Sequence, residues 1–387
     1  MHILFVPSWY PGDETDFSGS FFIEQAAAIV QAGHQVGVVA VNGIPVYARA
    51  ERRAREHGIR HTVESGIETY RLDSVLPFPK VPGGNQRVML SAWRTLLTRY
   101  ISEHGRPDVL HAHAMFPGGV ITHALSDEFE IPFIVTEHRP SSMERLAERW
   151  NGVHGRRAAV AASSLVAVAR GFATELNQAY GVGEEKWQYV PGLLSPQFQD
   201  IATRPAPAGP FIFGHVSHLD PGKRVDLLIG AFADKFADSP DVRLRIAGGG
   251  VHKDELVALA ARYGVGDKVD FMGAVPRTRI VEEFSVSHVF VLPSAAEAFG
   301  TVLWEAMACG LPLVASKTWA GRNAVTAENG LLAGIDNRAE LGEAMVKIKE
   351  NFERYDPEAI RAICLDHCGR EAFVSQYEVL YAKAIAG

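Results

Sequence analysis

Residues 289–315 place the strongest constraint on what this chain can fold into. An apolar run, Val289-Phe290-Val291-Leu292, meets Pro293-Ser294 and must stop there, because proline donates no ladder hydrogen bond. After a short loop, Val302, Leu303, Ala306 and Met307 recur at helical spacing. Gly310-Leu311-Pro312 ends that helix, and a second apolar run, Leu313-Val314-Ala315, follows. Strand, helix and strand in so short a span predict one step of a parallel α/β sheet. The loop before the helix carries Glu297, Phe299 and Gly300. Glu305 stands a little more than one turn beyond Thr301, where the helix is expected to begin. A helix start offers unpaired N–H groups and the positive end of a dipole, which suits an anion. Carboxylates flanking it repel an anion and suit groups that donate hydrogen bonds, such as sugar hydroxyls. Taken singly, each glutamate also fits a solvated or capping role.

The same alternation runs through both halves. Residues 2–6 and Val36–Val41 read as strands around a helix, Phe21–Ala32, that ends at Gly33-His34. The loop Pro7–Ser20 is long for such a connection, and loops at the carboxyl ends of parallel strands do the binding. Gly19, just ahead of the helix, would let a phosphate or acceptor approach the backbone, and fits a plain surface turn equally well. On the strand Asp108–His113, His111 and His113 share a face. Nothing adjacent supplies a third metal ligand, so they read as strand-end histidines, with His113 near the binding cleft. The next strand, Pro132–Thr136, runs into Glu137-His138-Arg139. Arg49–Arg60 reads as a charged helix with a solvated face. Arg87, Arg94 and Arg99 fit a solvated face or a surface meeting anionic lipid or phosphate. Pro191–Pro196 marks a linker, and the proline-rich Thr203–Pro210 a hinge.

The alternation restarts at Phe211–Val216, and His218, Lys223 and Arg224 lie in the loop before a helix, Val225–Phe236. That loop is not a Walker A motif, since Arg224 stands where Ser or Thr is needed. Leu244–Ala247 then precedes Gly248-Gly249-Gly250, and Lys268–Met272 forms a further strand.

A chain of 387 residues suits two domains, each with its own core. A net charge of −7 gives no electrostatic case for nucleic acid. No apolar run reaches the length of a membrane span, and the chain enters a strand at once without a signal-peptide pattern, which predicts a cytoplasmic protein. The cysteines Cys309, Cys364 and Cys368 suggest no disulfide framework, and Cys364, His367 and Cys368 on one helix lack the spacing of a structural zinc site.

The pair Glu297-x7-Glu305, set within PSxxEAFGxVxxEAMAxGxPLVAS, resembles the retaining family 4 glycosyltransferases of the GT-B fold. The resemblance extends over nearly the whole chain. It implies two Rossmann-like parallel-sheet domains facing across a cleft, an N-terminal acceptor domain over residues 1–195 with a final helix returning from about 370, and a nucleotide-sugar domain over 196–369. It implies that Lys223, with His218 or Arg224, grips the donor diphosphate. His218 stands where the family has an arginine. Glu305 would hold ribose hydroxyls, Glu297 the sugar, and the N–H groups of Phe299, Gly300 and Thr301 the leaving phosphate. Gly249 would lie beneath the nucleotide, and backbone at Met272–Val275 would read the base. Gly19, His113, His138 and Arg139 would face the acceptor, with His138 between acceptor and donor sugar. The sequence departs from the family at Gly192 and Ser195, where Asn and Asp are usual, and at Trp319, Ala320 and Asn323, in a loop Ser316–Asn323 that often carries glycines and an acid. The implied activity is metal-independent transfer, without a cofactor, from a nucleotide-diphosphate sugar to a carbohydrate, lipid-linked or small-molecule hydroxyl, with peripheral membrane contact possible. A GT-B epimerase or phosphorylase, or a non-catalytic sugar-nucleotide binder, shares these residues.

Overall fold

The computed structural model describes residues 1–12, 19–79, 81, 83–203 and 207–387. Residues 13–18 of the expected acceptor loop, 80 and 82 of a turn-rich run, and 204–206 of the proline-rich stretch lie outside them. The chain divides into two units, Met1–Leu193 with Phe373–Gly387, and Leu194–Ala372. It changes units at 193–194 and 372–373.

In the first unit the strands are β1 (His2–Pro7), β2 (Gln35–Pro45), β3 (Ile59–Glu64), β4 (Ile67–Leu76), β5 (Val109–His113), β6 (Phe133–Glu137), β7 (Ser164–Ala167) and β8 (Trp187–Tyr189). They form one sheet in the order β3-β4-β2-β1-β5-β6-β7-β8. Every pairing is parallel except β3 with β4. Continuous apolar strands such as Ile3–Val6 are buried on both faces, as helix-covered parallel sheets require. The closing helix, Arg370–Ala386, adds Phe373, Tyr377 and Tyr381 to the core formed by Ile3, Phe5, Ile134 and Val166.

The expected helix Arg49–Arg60 is corrected by the structure. A helix covers only Arg49–Ala54, and Arg60 lies on β3, an edge strand. β3 and β4 are joined by Ser65-Gly66, both at positive φ (52° and 79°), the two-residue turn that matches strand twist. On the following helix, Gly84–His104, Arg94 and Arg99 are ion-paired with Glu128 and Glu103. Glu283 is buried and paired with Arg245 at 2.7 Å.

The second unit holds β9 (Phe211–Val216), β10 (Val242–Ala247), β11 (Val269–Gly273), β12 (Val289–Leu292), β13 (Leu313–Ser316) and β14 (Gly330–Ala333). They form a wholly parallel sheet ordered β11-β10-β9-β12-β13-β14. Leu228, Phe232 and Met345 pack one core, and Leu303, Trp304 and Met307 another. The expected loop Ser316–Asn323 is in part a short helix, Trp319–Ala324, capped by Thr318 Oγ1 accepting from the Gly321 N–H at 3.2 Å. Among the described residues no helix is long and apolar enough to cross a membrane.

Candidate functional site

In the second sheet β9 and β12 lie side by side, while β10–β11 and β13–β14 run outward on opposite flanks. Chain direction across the sheet reverses between them, and such a switch point leaves a crevice at the carboxyl ends of the strands. Lys223 sits on the loop after β9 and Glu297 on the loop after β12. The Ala295 N–H donates to the Gly222 carbonyl at 2.9 Å, tying the loops together. The Lys223 ammonium donates to Glu297 Oε1, which also accepts from Ser294 Oγ at 3.0 Å. The two side chains are 26% and 14% exposed, so a ligand can reach a pair that is already partly desolvated.

Glu297 also anchors its surroundings through its backbone, because its carbonyl accepts from the Ala320 N–H at 3.2 Å. The helix Thr301–Ala308 follows Gly300, whose φ of 65° is the left-handed conformation that favours glycine. Among the described residues no side chain caps this helix start, so its first N–H groups are available to an anion. Phe299 stacks on Trp304 at 5.9 Å, and Thr301 is exposed. One turn in, Glu305 Oε1 accepts from Ser195 Oγ at 2.7 Å, and Ser195 Oγ accepts from Arg277 Nη2 at 2.9 Å. Ser195, at a position where the sequence departs from its family's pattern, is thus the buried partner of Glu305. Ser195 and Arg277 are site residues that sequence reading did not assign, because they come from distant segments.

Behind Lys223, buried His215 contacts the Val291 carbonyl at 2.8 Å and Ser217 Oγ at 2.7 Å. Burial lowers its pKa to about 4, so the ring is neutral; Nδ1–H donates to Val291 and Nε2 accepts from Ser217. The Ser217–Leu219 loop lies against the glycine turn. The Leu219 N–H donates to the Gly249 carbonyl at 2.8 Å, and a Cβ on Gly248 would fall 1.9 Å from the Ser217 oxygen. His218 is exposed on that loop, and Met272 is exposed at the end of β11. Arg224, beside Lys223, pairs with the exposed Asp226 and Asp336.

Cys364 and Cys368 are buried with sulfurs 3.8 Å apart, and His367 stacks on Trp304 at 4.6 Å. Among the described residues they join no group of three metal-ligating side chains.

In the first unit, direction across the sheet reverses between β1 and β5. Ser8, after β1, donates from Oγ to the Ala114 carbonyl at 3.1 Å and accepts from the Gly118 N–H at 2.8 Å. Gly19 lies under Trp9, and the Arg139 guanidinium stacks on the Trp9 ring at 4.1 Å. His138 retains some exposed surface, but its ring is enclosed by Phe21, Phe22 and His113. Burial, with the nearby charge of Arg139, lowers its pKa to about 3. His113 is fully buried, which removes it from the acceptor-facing place expected for it. Its Nδ1 lies 3.1 Å from His138 Nε2, and its own Nε2 has no partner among the described residues. An unpaired acceptor is commoner in cores than an unpaired N–H, so Nδ1 of His113 carries the proton and donates to His138. Beneath them buried Glu137 accepts from the N–H groups of Met115 (2.9 Å), His138 (2.9 Å) and Arg139 (3.2 Å), fixing the loop after β6. Sequence reading gave Glu137 no role.

Trp9 also lines a cavity of ≈ 1100 Å³ within the first unit, with Asn42, Arg71, Phe78, Arg149 and Trp150 on its walls.

Two reversing parallel sheets with ligand loops at their switch points define a pair of Rossmann-like units. Residues 19–197 match the Glycosyltransferase Family 4 model and residues 197–358 the Glycosyl transferases group 1 model. The chain is 30% identical to a D-inositol 3-phosphate glycosyltransferase of Acidothermus cellulolyticus over 79% of this chain and 73% of that one. An enzyme of the same name from Segniliparus rotundus is 28% identical over 56% and 52%. Sucrose-phosphate synthase of Thermosynechococcus elongatus shares the fold with a TM-score of 0.74 at 20% identity, covering 99% and 98% of the two chains. HepE of Anabaena in complex with UDP does so with 0.73 at 19% identity, covering 99% and 100%. The chain belongs to the group 1 glycosyltransferases. It is a glycosyltransferase that moves a sugar from a nucleotide-sugar donor.

Proposed function

We propose that transfer is retaining and needs neither metal nor cofactor, with the donor on the second unit and the acceptor on the first. The observation that carries this is the Lys223–Glu297 contact across the β9/β12 switch point, beside an uncapped helix start. Lys223 has further N–H groups for a diphosphate, and the N–H groups at Gly300–Thr301 meet the charge that grows as it leaves. Glu297, held by Ser294, accepts from donor-sugar hydroxyls, and Glu305, braced by Ser195, accepts from ribose. His218, Gly249 and Met272 border the nucleotide. In the step itself, the bond from the anomeric carbon to the phosphate oxygen breaks and its electron pair leaves with the diphosphate. The acceptor oxygen bonds to the same carbon, and its proton passes to the departing phosphate.

The acceptor enters beside Gly19, His138 and Arg139, with the Trp9-lined cavity as its pocket. The acceptor is a carbohydrate, a lipid-linked sugar or a small polyol; named relatives act on inositol 3-phosphate. Uridine diphosphate is the first nucleotide to try, since HepE binds it. We place the reaction in the cytoplasm, where nucleotide sugars are available.

The test is a thermal-shift panel of UDP-, GDP- and ADP-glucose, followed by donor turnover. One nucleotide should raise the melting point. Lys223→Ala should abolish that shift, and Glu297→Gln should cut transfer by ~10²-fold or more. Full activity in EDTA is expected. Loss restored by Mg²⁺, or a shift unchanged in Lys223→Ala, overturns the assignment. Turnover without acceptor would identify an epimerase, and dependence on phosphate a phosphorylase.

A further inference from the structure

Outside the donor and acceptor regions, His61, Glu68 and His104 form the one group of three metal-ligating side chains found among the described residues, with ligand atoms all within 4.8 Å of one another. Two parts of the first unit bring them together. His61 on β3 pairs in register with Tyr70 on β4, so His61, Glu68 and Tyr70 share one face of the hairpin. His104 is the last residue of the helix Gly84–His104, which packs on that face. We propose that this trio is a zinc site that fastens the edge hairpin to the end of the helix.

Two imidazoles and one carboxylate are a set zinc takes readily, with water as the fourth ligand. The distances are close to what the ion needs. Ligand atoms about 2.0 Å from a tetrahedral zinc lie roughly 3.3 Å apart. His61 Nε2 is 2.6 Å from Glu68 Oε2, and His104 Nε2 is 3.9 Å from the same oxygen. One gap opens and the other closes by well under an ångström, within side-chain freedom at a partly exposed site. His61, Glu68 and His104 side chains are 40%, 29% and 19% exposed, so an ion can enter from solvent.

The surroundings orient the ligands. The Tyr70 ring stacks on His61 at 4.3 Å and 14°, fixing the imidazole plane. The Tyr70 hydroxyl donates to Glu103 and lies 2.7 Å from His104 Nε2, from which it accepts in the metal-free state. For zinc to take Nε2, the one proton of the neutral His104 ring moves to Nδ1 and the hydrogen bond to Tyr70 is given up.

The probe is zinc ion alone, added to the full chain at pH 7.5 and followed by calorimetry and by metal analysis after dialysis. About one zinc per chain is expected, with weakening of at least ~10-fold in each of His61→Gln, Glu68→Gln and His104→Gln. Zinc should raise the melting point of the parent chain and not that of His61→Gln. His61 lies on an edge strand, so its replacement should leave the fold intact if His104→Gln disturbs it. Cobalt should give tetrahedral visible bands that the same variants lose. Failure to bind zinc, or equal binding by the His61→Gln/His104→Gln double variant, overturns the site. Sugar transfer is expected to be unchanged in His61→Gln, which separates this site from the donor and acceptor assignments.

Discussion

His113 and His138 show how one side chain can act through another. The His113 N–H leaves His138 with its proton on Nδ1, oriented by a partner that is itself inaccessible. His113→Leu should lower kcat by about tenfold through the orphaned His138 nitrogen, with donor KM nearly unchanged. His113→Asn, which retains a donor, should recover part of it; equal loss in both variants would mean simple packing damage. Individual residues were legible where a local pattern surrounded them, as with Glu297 and Lys223. Ser195 and Arg277 were not, since they meet Glu305 only after the chain has folded. Glu137 was hidden for another reason: its partners are backbone N–H groups, which leave no trace in side-chain spacing.

Among elements, the helix Thr301–Ala308 depends on the turn that opens it. A Cβ at Gly300 would meet Ala320 at 2.8 Å in a left-handed backbone. Gly300→Ala should therefore cost ~1–2 kcal/mol from conformation alone, measured by urea unfolding, and raise donor KM by shifting the helix start. The strand–helix–strand order here was readable because Pro293, Gly310 and Pro312 punctuate it. The β3–β4 hairpin was not read, since Arg and Glu residues around Arg49–Arg60 mimic a charged helix. The contrary signal was the pair Ser65-Gly66 between two alternating runs.

At the scale of the molecule, buried histidines link folding to pH. Burial lowers His138 to about 3 and His215 to about 4, and depresses His111 and His113 as well. Below their ordinary value of 6.5 these rings take up protons in the unfolded chain but not in the folded one. The stability they contribute is complete above that pH and is lost as pH falls toward the folded values, with each ring adding up to about 1.4 kcal/mol per pH unit. Glu137, raised by burial, acts in the opposite sense above its unfolded value and offsets part of this. Urea midpoints should fall steadily from pH 7 to pH 5, and a flat profile would refute the neutral rings.

The closing helix sets a second whole-molecule expectation. Phe373, Tyr377 and Tyr381 are buried in the first unit, and Tyr381 and Tyr377 hydrogen-bond to His111 (2.8 Å) and Thr136 (3.0 Å). Burying three such rings is worth on the order of 10 kcal/mol, comparable to the stability of a domain. Removing residues 373–387 should expose 1–193 to trypsin while 194–372 resists. On the ribosome, the stretch that completes the amino-terminal core is made after the whole of the second unit. The earlier-born half therefore waits with an apolar trough uncovered, and nascent chains stalled before residue 373 are where chaperone dependence should be greatest.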